Sequence, residues 1–287
     1  MGIALLILAT MCFATLDTVT KSVTAVVPLM MAIWARYFVQ AILTTAVVLP
    51  LKGWSVLKTQ NLKLQILRAV LLALVTLLAF ASLSFLPVGE FTAIAATVPL
   101  LVTLLASRML GEHVSGLRVV FVCGGFLGTL LIVRPGSDAF GWALLFPLAL
   151  VILNTAFQLL TSKMTRTEDS VTTQFYTIWL GTALTSLPLF WFWSPVQDTQ
   201  VLLELLLMGA AGSVGHLALI MAFERAPAGA LMPYLYAQIA FAMLGGWLVF
   251  NHIPDQWALS GIALIAVCGV AGGFLTVYEL RQKTAES

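Results

Sequence analysis

Charge is scarce in this sequence, and the scarcity decides its solvent. Asp, Glu, Lys and Arg make up 9% of the 287 residues, against about 25% in a soluble domain. Hydrophobic residues make up 61%, and mean hydropathy is +1.03. So few charges cannot furnish a water-facing surface, so lipid must surround most of the chain. Basic stripes of the kind that bind phosphate backbones are missing, which argues against nucleic acid as a partner. There is no Gly-rich phosphate loop with a Lys, and this argues against ATP-driven transport by the chain alone. There is no HExxH and no GxSxG, so no catalytic set suggests an enzyme, and no cofactor is expected. The three cysteines, Cys12, Cys123 and Cys268, all fall inside apolar runs. Their number is odd and no metal spacing joins them, so they read as buried free thiols. His113 and His252 stand without ligand partners at metal spacing. The first apolar run lacks a basic leader and a small-residue cleavage site, so it reads as a retained membrane helix.

What is present is a repeat. PVGEFTAIAATVPLLVTLLASRMLGEH runs from Pro87 to His113, and PAGALMPYLYAQIAFAMLGGWLVFNH from Pro227 to His252. Pro87 and Gly89 stand 140 positions before Pro227 and Gly229. In each copy a Pro-x-Gly turn enters an apolar helix that ends at a short polar loop. A half-chain repeat in so apolar a protein points to a transporter of two related halves. A spanning helix needs about 20 mostly apolar residues. Ten segments meet that need: roughly 3–21, 29–50, 65–85, 89–110, 116–134, 141–163, 171–193, 202–224, 229–250 and 257–279. The expected fold is an all-α integral membrane protein, with five helices in 1–138 and five in 139–287. Five is odd, so the second half enters the membrane inverted relative to the first.

Loop cations orient the chain. With a cytoplasmic N-terminus, eleven of the 14 Lys and Arg fall inside, Arg68 among them, and Lys21 and Arg134 fall outside. This bias places both termini in the cytoplasm.

Polar residues inside the spans are costly and mark candidate sites. Asp17, Lys21 and Arg36 lie in the first two helices. Asp17 and Arg36 flank the hairpin turn at similar depth, so they read either as a charged pathway element or as a structural ion pair. Lys21 also fits a side chain reaching to the membrane surface. Glu90 opens the fourth helix, where a carboxylate suits the helix dipole as a cap and also fits proton coupling. The ninth helix carries Pro233, Tyr234, Tyr236 and Gln238, and Pro233 removes a backbone donor and opens the helix locally. The sixth helix offers Asn154, Phe157 and Gln158, the eighth His216, the fourth Thr97, and the third Phe80. These polar groups either line a substrate cavity or hydrogen-bond between helices. Gly124-x-x-x-Gly128 and Gly269-x-x-x-Gly273 permit close helix approach, first within the monomer; a monomer and a homodimer both stay open.

These residues carry a family likeness. The first-helix TVTK, the second-helix ARYF with Arg36, the LVTLLASRMLGEHVS stretch, Gly128 and Gly261 together resemble the drug/metabolite transporter superfamily, in its ten-helix branch of two EamA-type repeats. The Pro233–Tyr236 element resembles the branch associated with uptake of S-adenosylmethionine or riboflavin. The resemblance implies a bacterial inner-membrane permease for a small-molecule substrate. It also implies alternating access, and a central cavity framed by the first, third, fourth, sixth, eighth and ninth helices. Leu235 and Gln238 stand where some S-adenosylmethionine-type sequences carry charge, which argues against a cationic substrate. A vitamin, a nucleoside derivative and an amino acid all suit the lining. Two other readings remain: a drug or amino-acid exporter of the same fold, and a non-transporting membrane partner protein.

Overall fold

The computed structural model describes residues 1–86, 88–109, 115–133, 143, 145–251 and 256–286. Among them the chain is helical throughout, without strands. The helices are α1 (Gly2–Thr24), α2 (Leu29–Lys52), α3 (Leu62–Phe85), α4 (Val88–Ala95), α5 (Thr97–Met109), α6 (Gly116–Val133), α7 (Leu145–Met164), α8 (Ser170–Phe192), α9 (Thr199–Arg225), α10 (Ala228–Leu235), α11 (Ala237–Phe250) and α12 (Gln256–Glu286). A 3-10 turn, Gly53–Leu57, follows α2.

Among the described residues, seven helices are long and apolar enough to cross a membrane: α1, α2, α3, α7, α8, α9, and α10 with α11. The other expected spans coincide with the α4–α5 pair, α6 and α12. The apolar stretches Gly116–Gly128 and Leu259–Gly272 are shorter. Phe190, Trp191, Phe192 and Trp193 stand exposed at the end of α8, and Leu187 is 73% exposed. Such a surface suits hydrocarbon, with aromatic rings at its margin.

Local chemistry sets the helix ends. Asn61 accepts from the Leu64 amide at 3.2 Å and starts α3. Asp198 accepts from the Gln200 amide at 2.8 Å and starts α9. Asp169 accepts from the Val171 and Thr172 amides at the start of α8 and pairs with Lys52 at 2.7 Å. Burial alone would raise the Asp169 carboxyl; the Lys52 bond and the two amides outweigh it and hold the group below its ordinary value. Glu168 accepts from the Thr59 hydroxyl and the Gln60 and Asn61 amides, tying the α2–α3 connection to the α7–α8 connection.

The two repeat copies both break. One break falls at Ala96, between α4 and α5; the other falls at Tyr236, between α10 and α11. The breaks are 140 positions apart, the offset of the repeat itself. Pro99 accounts for the first, since it cannot donate to the Ala95 carbonyl four residues earlier; Pro233 lies inside α10, three residues before the second. The Thr97 hydroxyl bonds the Ile94 carbonyl at 2.5 Å across the first break. The Ile239 amide closes a tight turn onto the Tyr236 carbonyl at 3.1 Å across the second.

Packing pairs follow a pattern. α1 packs on α9 and α7 on α3; α2 on α9 and α8 on α3; α1 on α11 and α7 on α5; α10 on α5 and α4 on α11. α6 packs along α12, with Gly124 against Cys268 and Gly128 against the Gly261 carbonyl. The first glycine face is thus spent inside one chain; Gly273 lies among the side chains not described. A Cβ on Gly128 would stand 2.8 Å from that carbonyl, whereas one on Gly246 meets open space. Gly128→Ala is expected to cost about 1–3 kcal/mol by overpacking and to lower the melting temperature in detergent. Gly246→Ala should leave it within the error of differential scanning fluorimetry.

Candidate functional site

The broken helices meet α1, α3, α7 and α9 around one cavity of about 140 Å³. That is room for roughly ten waters. Apolar walls come from Phe13, Leu72, Phe80, Phe91 and Leu219; the polar side chains include Asp17, Arg36, Thr76, Thr92, Asn154, Gln158, His216 and Gln238. Phe157 and Tyr236, each 1% exposed, complete it.

Arg36 is the anchor. It reaches in from α2, 3% exposed, and its guanidinium donates to the Thr76 hydroxyl at 2.8 Å and to His216 Nε2 at 2.9 Å. A guanidinium can only donate, so Nε2 accepts and the imidazole is neutral with its proton on Nδ1. Tyr37 shares the Thr76 hydroxyl at 3.0 Å. Phe13 and Phe157 hold the His216 ring, at 4.9 and 6.2 Å between centroids.

Asp17 faces the same cavity from α1. Gln238 Nε2 donates to its Oδ2 at 2.9 Å. Asp17 and Arg36 do not pair directly: the described ion pairs are Lys52–Asp169 and Glu224–Arg225. Acid and base are thus each held by a neutral partner. Three buried polar atoms on lining residues have no partner: Arg36 Nε, Gln158 Oε1 and His216 Nδ1. An orphaned buried polar atom costs about 1–3 kcal/mol. Two donors and one acceptor are therefore open to a hydrogen-bonding solute.

Of the residues singled out by sequence, the cavity collects Asp17, Arg36, Phe80, Asn154, Phe157, Gln158, His216, Tyr236 and Gln238. Tyr236 also ties the break to α6, its hydroxyl donating to the Val122 carbonyl at 3.0 Å. Thr97 bridges the break and does not line the cavity, and neither does Tyr234. Lys21 points elsewhere: Nζ donates to the Leu83 and Leu86 carbonyls at 3.5 and 3.3 Å, at the C-terminal end of α3. The Glu90 side chain lies outside the described residues. Two residues escaped notice. Thr76 is one of three hydroxyls in an apolar helix, with Ser82 and Ser84, and gives no pattern. Arg68 was counted with the loop cations, yet it lies inside α3 and is wholly buried.

The EamA-like transporter family model matches residues 1–134. A riboflavin transporter from Rhizobium johnstonii is 30% identical over 290 residues, spanning 98% of this chain and 93% of the relative. The chain belongs to the EamA-like transporter family. It is a multi-pass membrane protein of the drug/metabolite transporter superfamily. An S-adenosylmethionine uptake transporter from Rickettsia conorii is 27% identical over 214 residues, 74% of this chain and 72% of the relative. A solved crystal structure superposes with a TM-score of 0.80, covering 97% of this chain and 98% of the other, at 20% identity. That last likeness concerns the fold alone.

Thr76 tests the network. Thr76→Val removes the acceptor that Arg36 uses and is expected to lower stability by about 1–3 kcal/mol. Thr76→Ser restores the hydroxyl and should recover most of it, read as melting temperature in one detergent.

Proposed function

We propose that this protein is a secondary transporter that moves a small organic metabolite across the bacterial inner membrane by alternating access. Ten spans are arranged as two inverted five-helix repeats, 1–138 and 139–287, with both termini in the cytoplasm. Three features support that arrangement: the repeat offset of 140 shared by the two helix breaks, the packing pairs that exchange partners between halves, and the loop-cation bias. Inverted repeats put the substrate at their interface, beside discontinuous helices.

The cavity at the two breaks carries the reading. It joins apolar rings to a carboxylate, a guanidinium, an imidazole and amides, the lining expected for a flat or amphipathic solute with hydrogen-bonding edges. Relatives named for riboflavin and for S-adenosylmethionine direct attention to such solutes, since both molecules contain a planar heterocycle with polar edges. In the cycle, the rings of Phe80 and Phe157 would stack or enclose the flat part. Arg36, His216 and Gln158 would bond its edges, and rocking of one half against the other would carry the site from one face to the other. Breaks at Ala96 and Tyr236 provide hinges where few helix hydrogen bonds must yield.

The test is counterflow exchange in proteoliposomes with riboflavin, S-adenosylmethionine, aromatic amino acids and a cationic dye. Exchange of one of these solutes is expected, falling at least about tenfold in Gln238→Ala and Arg36→Gln while Lys21→Ala keeps most of it. A tenfold loss corresponds to about 1.4 kcal/mol, near the value of one hydrogen bond to a charged group. Exchange that survives both cavity substitutions would remove the cavity from the mechanism. No exchange of any of these solutes would count against the substrate class.

A further inference from the structure

Outside the cavity, one group is left without the partner its charge demands. Arg68 on α3 is 0% exposed. Its guanidinium donates through Nε to the Thr161 hydroxyl of α7 at 2.9 Å and through Nη1 to the Thr177 hydroxyl of α8. The third nitrogen, Nη2, has no partner. No carboxylate contacts it among the described residues; all its partners are neutral. A buried cation normally survives only when paired with an opposite charge.

The surroundings repeat the pattern. Gln174, 1% exposed, leaves both amide atoms without a partner, and Gln65, 0% exposed, leaves its Oε1 so. Gln65 reaches Thr173 on α8 at 3.4 Å. Gln174 and Thr177 are three apart on α8 and share a face. α3, α7 and α8 thus enclose a cation and two amides with unused bonding capacity, at the end of the bundle where the α2–α3 and α7–α8 connections meet.

Phe157 touches both this cluster and the cavity. The Arg68 guanidinium lies 4.7 Å from the centre of its ring. The same ring lines the cavity and meets His216 edge to face. Arg36 and Arg68, both buried and both without a paired carboxylate, therefore meet at one aromatic ring, Arg68 directly and Arg36 through His216.

We propose that Arg68, with Thr161, Thr177 and Gln174, forms a second binding station that takes an anionic group as it passes beyond Phe157. The inference rests on the transport reading above. The ligand chemistry is a carboxylate or phosphate on the solute, or a small inorganic anion moving with it. Rotation of the Phe157 ring would join the two stations, and an anion leaving Arg36 would meet Arg68 next.

Thermal melting of detergent-solubilised protein tests the station without needing the solute's identity. Sodium chloride, sodium phosphate and sodium gluconate are compared at constant ionic strength in wild type, Arg68→Gln, Arg68→Lys and Arg36→Gln. Chloride or phosphate should raise the wild-type melting temperature by roughly 3–6 °C over gluconate. Arg36→Gln should keep most of that rise, Arg68→Lys should keep a smaller one, and Arg68→Gln should lose most of it. Should Arg68→Gln fail to fold, the double variant Thr161→Val, Thr177→Val keeps the cation and should show at most half the wild-type rise. Two arms separate the anion's source. Wild-type exchange that depends on external chloride or phosphate assigns an inorganic anion; exchange indifferent to both, but lost in Arg68→Gln only for solutes bearing a carboxylate or phosphate, assigns the solute's own group. The station is overturned by equal melting in all three salts together with normal exchange in Arg68→Gln. It is also overturned by an anion response that vanishes in Arg36→Gln and persists in Arg68→Gln. Absence of exchange in wild type, with the anion response intact, would instead strike the transport reading.

Discussion

Hydrocarbon offers no hydrogen bonds, and the architecture answers to that. Every polar group between α1 and α12 must find its partner inside the bundle, because each one left bare in lipid costs several kcal/mol. Arg36 shows the rule at work. Its guanidinium is bonded to Thr76 and His216, Thr76 is shared with Tyr37, and His216 is wedged between Phe13 and Phe157. One cation thereby fixes the relative positions of α2, α3 and α9, with α1 and α7 packed onto the imidazole.

The same rule limits where a helix can break. Pro99 and Pro233 free backbone groups, which is tolerable only where protein or a watery cavity receives them. Both breaks face the one polar cavity, and each is bridged locally, by the Thr97 hydroxyl in one copy and by the tight Tyr236–Ile239 turn in the other. Proline, cavity and polar lining are therefore one arrangement: the helices open where solute and water can replace the missing bonds.

Much of this was legible in the chain itself. Scarce charge fixed the solvent, and apolar run length marked the helices. Pro233 pointed to a local opening of the ninth helix, whereas the matching break at Ala96 was not expected. Asp17, Arg36, His216 and Gln238 stood out because ionisable and amide groups are rare in spans. What stayed hidden was direction. Lys21 and Arg68 look alike as cations near helix ends, yet Lys21 caps α3 while Arg68 turns inward between α7 and α8; rotation about a helix axis is decided by packing, which weak periodicity in an almost wholly apolar helix does not report. Tyr234 and Tyr236 posed the same difficulty two residues apart, and only Tyr236 meets the cavity. Thr76 was silent, since a hydroxyl in a membrane helix usually bonds its own backbone.

The most direct measurement is accessibility of the cavity wall. Cys12, Cys123 and Cys268 are replaced by alanine, Asn154→Cys is introduced, and the protein is reconstituted in sealed liposomes with a membrane-impermeant maleimide on one side at a time. A transport cavity predicts labelling from at least one side, slowed at least about tenfold by whichever solute exchanges, since a bound solute shields the thiol. Labelling from neither side, or labelling at the same rate with and without an exchanging solute, would contradict a solute path through Asn154, Arg36 and Gln238.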